Sequence, residues 1–215
     1  MGAPLWSLAL IAHRANASII LALDLPTLVQ EADHIAVVDV MSVRAAWDER
    51  HERIYSTIDL KVVEHWKTPV GAGAPSDHLT IVQAGGTVDD ITMTVMGMGS
   101  FVGGERSLVF LRGPATHAQV VGMTQGKRAM RYESTSRSWL VAPPDLRQTK
   151  LVRPPTTGYP PNKPAVPALP GQKGAASSSP PRPATGSTLL GPDSRNLPID
   201  DVRAEIKRLL GTVRP

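Results

Sequence analysis

Between Ile54 and Trp66 the chain alternates without a break. Ile54, Ser56, Ile58, Leu60, Val62, Glu64 and Trp66 stand against Tyr55, Thr57, Asp59, Lys61, Val63 and His65. The first set is mostly apolar and the second mostly polar, as in an antiparallel strand with one face on a core and one toward water. A helix would bring its apolar residues round at intervals of three and four instead.

The flanking sequence keeps the same period. His34 to Ala45 is dense in β-branched residues (Ile35, Val37, Val38, Val40, Val43) and predicts a strand. The polar run 47–53 suits a hairpin tip, and the turn formers of Thr68 to Asp77 predict a loop. Further strands are expected over His78–Gln83, Ile91–Val95, Ser107–Leu111, Gln119–Met123 and Ala129–Tyr132. Gly85-Gly86, the glycine-rich Met96–Gly104 around Phe101, and Gln125-Gly126 break them apart. Ser107 to Leu111 is short and almost wholly apolar, which predicts burial on both sides. Ahead of all these, Asp24 to Ala32 predicts a short helix, with Asp24 as its cap and Pro26 in its first turn. Many short strands point to a small closed antiparallel barrel or a sandwich, and the barrel is the expectation for residues 18–142. The sequence has no Cys, so disulfides, Cys-ligated zinc and iron–sulfur clusters are excluded. A domain of this length buries a sufficient core without them.

Both ends read differently. Residues 3–12 are uncharged and mostly apolar, too short to span a bilayer and suited to the apolar region of an export signal. Ala15-Asn16-Ala17 then offers a small-x-small site, with cleavage expected between Ala17 and Ser18. Residues 1–17 are therefore read as a signal peptide, and the mature chain as secreted, periplasmic or held at the cell envelope. At the other end, residues 143–198 hold 14 Pro and one aromatic, Tyr159. That composition cannot offset chain entropy by burial, so 143–195 is expected to be a disordered, proline-rich linker. A C-terminal helix follows over 196–211. Asn196 would cap it, Pro198 would lie in its first turn, and Gly211 would stop it. Ile199, Val202, Ile206 and Leu209 share one face of it. A helix so short must dock; the barrel of its own chain is the nearest candidate, and a partner protein or a membrane surface is the alternative.

Net charge is +4, yet residues 18–142 carry −3 and residues 143–215 carry +6. The basic character sits in the tail, which argues against a phosphate-tracking surface on the folded part. Single-strand nucleic-acid barrels need stacking aromatics beside a basic groove, and this segment offers seven aromatics on an acidic background.

Side chains that could carry chemistry do not form a known pattern. The six His fit no metal spacing. Asp33-His34, Glu64-His65 and Asp77-His78 are adjacent acid–His pairs, but neighbours on a strand point to opposite faces. Gly97, Gly99 and Gly103 fit neither a nucleophile elbow nor a dinucleotide fingerprint. Asp89-Asp90 is a paired carboxylate at a turn, the methionines at 93, 96, 98, 123 and 130 suit core filling, and Trp47 and Trp66 flank the first hairpin. No catalytic residue, metal ligand set or cofactor is assigned.

The order of segments resembles a family of uncharacterised exported bacterial β-rich proteins. It runs from the export signal and the helix Leu25–Asp33 to the strand Ile35–Val43, then Tyr55-Ser56-Thr57 leading into Val62-Val63-Glu64. Gly85-Gly86-Thr87 with Ile91–Val95 follows, then Gly104-Glu105-Arg106 before Leu108–Leu111, and Val121–Gly126. More distantly it is similar to netrin-like modules, the oligonucleotide-binding-type barrel of tissue inhibitors of metalloproteinases. The resemblance spans about 18–135 and implies a barrel fold. Those inhibitors chelate a protease zinc through an N-terminal Cys, and here the expected terminus is Ser18. The resulting expectation is an exported, non-catalytic binding or structural module for a protein or cell-envelope component, its ligand held on loops 67–78 or 96–104. The alternatives are a secreted enzyme using the acid–His pairs and a nucleic-acid-binding barrel.

Overall fold

The computed structural model describes residues 18–71, 74–146, 149–152 and 195–212. The expected signal peptide and residues 153–194 of the expected linker lie outside the described residues. In chain order the elements are β1 (Ser18–Leu21), α1 (Leu25–Glu31), β2 (His34–Trp47), β3 (Ile54–Lys67), β4 (His78–Ala84), β5 (Gly86–Val88), β6 (Ile91–Met93) and β7 (Arg106–Arg112). They continue with β8 (Gln119–Val120), a 3-10 turn at Met123–Gly126, β9 (Lys127–Glu133), β10 (Ser138–Val141), β11 (Thr149–Val152), β12 (Leu197–Pro198) and α2 (Ile199–Thr212).

Helix α1 forms where its capping pattern predicts. Asp24 accepts a hydrogen bond from the Thr27 backbone at 2.9 Å, and Pro26 sits in the first turn. Its far end is closed from a distant strand. The Lys67 ammonium donates to the carbonyls of Ala32 (2.5 Å), Val29 (2.8 Å) and Gln30 (3.3 Å), oxygens near the helix end that need partners from outside it. Gln125 holds the chain just before α1, donating to the Leu21 carbonyl at 2.9 Å and accepting from the Leu23 N–H at 2.8 Å.

The main sheet is antiparallel, in the order β12-β10-β9-β7-β2-β3-β4, with β8 also on β7. The expected closed barrel is not what forms. β2 and β7 are buried on both faces: Ile35, Val37, Leu108 and Phe110 belong to one core, and Ala36, Val38, Val109 and Leu111 to another. A barrel has one interior and would leave the outward row to water. Here α1 and α2 cover part of that outer face, while β3, β4 and the loop carrying Phe101 enclose the inner one. β4 touches segment 115–118 through a single bridge, Ile81 to Ala118, and three backbone hydrogen bonds. Among the described residues no ladder extends this contact, so the sheet stays open.

Three other expectations are corrected. The helix begins at Ile199, not after Asn196, because Leu197 and Pro198 pair with Val141 and Leu140. It also runs through Gly211 to Thr212. The linker does not start at 143: Thr149–Val152 pair in parallel with Ser18–Leu21, a backbone ladder that composition does not reveal. The strand expected at Ile91–Val95 is a three-residue partner of β5 across the Asp89-Asp90 turn, where Asp89 takes a positive φ of 51°.

Helix α2 docks on its own chain, as its apolar stripe predicts. Val202, Ile206 and Leu209 pack into the outer core with Leu25, Leu28, Val29 and Trp66. Register irregularities between β2 and β3 bring this about. They fall between Ile35 and Ala36 and between Val37 and Val38, opposite Trp66 and Val63. Each bulge turns the pleat over, so Trp66 joins the outer core while Ile58 and Leu60 remain in the inner one.

Candidate binding groove

The two helices leave part of the outer face bare. Past Val37, β2 presents Asp39 and then Met41, which is 58% exposed. Next to them lie Arg106 on β7, Tyr132 on β9 and Trp139 on β10, and together they line a shallow groove of about 600 Å³. Tyr132 and Trp139 are directly opposed across the β9–β10 ladder, with ring centroids 5.6 Å apart and planes at 63°. This edge-to-face geometry suits two aromatic quadrupoles. Tyr132 is 52% exposed, while Trp139 is partly buried and packs against the outer core.

A fixed cation sits at the centre of the groove. Arg106 makes a two-pronged hydrogen bond to Asp39, Nε to Oδ1 at 2.6 Å and Nη2 to Oδ2 at 2.8 Å. Its guanidinium carbon lies 4.5 Å from the centre of the Trp139 ring. The hydrogen bonds from Arg106 hold the Asp39 carboxyl below the usual carboxylate range, and those to Asp39 hold the Arg106 guanidinium above its own. The carboxylate and the indole thus immobilise a side chain that would otherwise sample many rotamers.

The loops expected to hold a ligand are placed otherwise. Loop 96–104 is pinned: Phe101 is buried in the inner core, and the Gly99 carbonyl accepts from the Gln83 side-chain amide at 2.9 Å. Only its last residue, Gly104, reaches the groove. Loop 67–78 walls a second cavity of about 350 Å³, with His34, His65, Pro75, Ser76, Pro114 and Ala115 among its lining.

That second cavity brings together two of the three acid–His histidines, and it shows why they do not form a reactive pair. Carbonyl oxygens only accept, so His34 Nε2 donates to Gly113 at 3.2 Å and His65 Nε2 donates to Ser76 at 3.1 Å. The two Nδ1 atoms are shut off from solvent and meet no hydrogen-bond partner. Neither ring therefore turns an open nitrogen toward the cavity. Burial pushes the His34 imidazole below its ordinary pKa, with the Gly113 carbonyl and the Asp33 charge opposing it only in part. The neighbouring acids face elsewhere. Asp33 accepts from the Gly113 N–H at 2.8 Å, and Glu64 points to the outer face. His78 stands exposed on β4, opposite Lys61.

The remaining candidates also separate. Trp66 is buried under α2, while Trp47 stacks on His51 at the hairpin tip. Among the described residues no three His, Asp or Glu side chains gather as a metal site would require, and no helix is long and apolar enough to cross a membrane. Of the five methionines expected to fill the core, Met130 lines the groove, Met93 lies on β6, Met96 and Met98 in the loop that follows, and Met123 at the 3-10 turn.

Comparison with protein families, with curated proteins and with solved structures finds no match.

Sequence reasoning passed over Asp39, Arg106 and Trp139. One signal could have found the aromatic pair: Tyr132 and Trp139 flank the polar turn Ser134-Thr135-Ser136-Arg137 at equal distance, as facing residues of a hairpin do.

Proposed function

We propose that the chain is an exported, non-catalytic binding module, kin to the exported β-rich family it resembles, and that its ligand lies on the bare part of the outer face. The observation that carries this reading is Arg106, held between Asp39 and Trp139 beside an exposed Tyr132. Immobilised aromatic and Arg side chains bind at low entropic cost and recur as anchors of recognition surfaces. Asp39 and Glu105 balance Arg106 and Arg131 along the groove, which suits a largely uncharged segment of protein or cell-envelope polymer better than a phosphate backbone.

Co-sedimentation of the full chain with envelope fragments of its source cells tests the reading. Tyr132→Ser and Met41→Ser remove largely exposed side chains and should lower the melting temperature only slightly, by the lost Tyr132–Trp139 contact. Together they should weaken binding about tenfold, which corresponds to about 1.4 kcal/mol. Equal binding by wild type and variant, or no binding by either, overturns the reading.

A further inference from the structure

Across the bare outer face, polar side chains stand in register from strand to strand. Arg106 on β7 is opposite Asp39 on β2, Asp39 is opposite Lys61 on β3, and Lys61 is opposite His78 on β4. Cross-strand partners share a face, so this row continues the groove toward β4. Lys61 and His78 are exposed, and the Lys61 charge acts on Asp39. At the other end, Tyr132 and Trp139 lie two residues along their strands from Met130 and Val141, which continue the register from Arg106. The track runs from β10 to β4 across six neighbouring strands, roughly 24 Å at about 4.8 Å between strands.

Its chemistry suits a polyol. Arg106 only donates and Asp39 only accepts, and each keeps bonding capacity beyond the two hydrogen bonds they share. A sugar hydroxyl does both, so hydroxyls on neighbouring carbons meet the pair without leaving a charge unmatched. A pyranose ring also carries a face of C–H groups, and the exposed Tyr132 ring offers a surface for it. A linear β-1,4-linked glycan advances by close to one strand spacing per sugar, so successive sugars meet successive strands.

A peptide fits this surface less well. Strand addition needs a free backbone edge. β12 already pairs with Leu140 and Val141, which leaves only Ser138 and Trp139 of β10 to extend. The anchors of a protein partner need enclosed, desolvated pockets, and this groove is shallow and lined by paired charges.

We propose that the track from Tyr132 to His78 is the seat of a linear, uncharged, β-linked glycan laid across the strands, with one sugar against Tyr132 and the hydroxyls of the next on Arg106 and Asp39. The inference rests on the groove being the ligand seat and names the class of ligand. Lys61 and His78 receive the sugars beyond the groove.

Titration calorimetry of the full chain with cellohexaose and chitohexaose, and with the matching trisaccharides, is the test. At least one hexasaccharide should bind, about tenfold more tightly than its trisaccharide, which is long enough for the groove alone. Its affinity should be the same at about 50 and about 500 mM salt, because an uncharged ligand releases no counterions. Tyr132→Ser should weaken both lengths. Lys61→Gln should weaken the hexasaccharide about fivefold, the loss of one hydrogen bond, and leave the trisaccharide as in wild type. No binding by either hexasaccharide, equal affinity for the two lengths, or affinity that falls with salt overturns the inference. Envelope binding separates this outcome from the reading it rests on. If the chain binds envelope through Tyr132 but binds no oligosaccharide, or if protease treatment of the fragments abolishes binding, the groove stays the ligand seat and the glycan is removed. Oligosaccharide binding through Tyr132 with no envelope binding retains the glycan and removes the envelope ligand.

Discussion

The guanidinium of Arg203 meets both carboxylate oxygens of Glu64, at 3.0 and 2.8 Å, across 139 residues of sequence. It also lies 5.5 Å from the centre of the Trp66 ring. This contact fixes the rotation of α2 on the outer face. Burial pushes the Glu64 carboxyl up, but the hydrogen bonds and charge of Arg203, together with Trp66 and the Lys207 charge, outweigh it and leave the group below its ordinary pKa. Both side chains remain partly exposed, so the pair is worth only about 0.5–1 kcal/mol. A double-mutant cycle of Arg203→Met and Glu64→Gln, read by urea unfolding, should return a coupling of that size. Strict additivity would mean that the two side chains are not coupled in solution.

Lys67 ties β3 to the end of α1. Replacing it with Met keeps much of the aliphatic stem and leaves the carbonyls of Val29 and Ala32 without their ammonium partner. The expected cost is about 1–2 kcal/mol, seen as a lowered melting temperature. An unchanged melting temperature contradicts the cap.

These two contacts show what the sequence made legible. The Asp24 cap, the β2–β3 hairpin and the apolar stripe of α2 each follow from local chemistry, and each forms as expected. The double burial of Leu108–Leu111 was legible too, but a single apolar run does not say that helices supply its second cover. The bulges opposite Val37 and Ile35 were hidden, since bulge residues carry no composition of their own. They move Trp66 and Glu64 off the face that strict alternation assigns them. The groove stayed out of view because Asp39, Arg106 and Trp139 come together only through three strand pairings.

His34 gives the fold an acid limit. Its folded-state pKa is held below the ordinary 6.5 chiefly by burial. The unfolded chain takes up a proton that the folded chain refuses. Stability is therefore full above that value and falls as the pH drops through it toward the folded pKa. We expect the urea midpoint to decrease between about pH 7 and pH 5, and to decrease less in His34→Gln. A midpoint that rises on acidification, or equal slopes in the two proteins, would contradict the assignment.

Gly86 is needed for its lack of a side chain. It takes a positive φ of 137°, and a Cβ there would stand 2.6 Å from Ser56 Oγ and 2.7 Å from the Ala45 Cβ. Gly86→Ala should cost about 2–3 kcal/mol, combining backbone strain with overpacking. Gly103→Ala, which meets nothing within 4 Å, is the control and should stay within about 0.5 kcal/mol of wild type. Equal effects at the two positions would sink this account of the β3–β5 contact.

The whole arrangement depends on α2 covering the outer face of the sheet of its own chain, because that cover defines where the bare groove begins. Native-state hydrogen exchange on the full chain measures it directly. The amides from Val202 to Leu209 should exchange with protection approaching that of Val37 in β2 and Leu108 in β7. Exchange at the rate of a free peptide in α2, while β2 and β7 stay protected, would show the helix undocked and contradict the account.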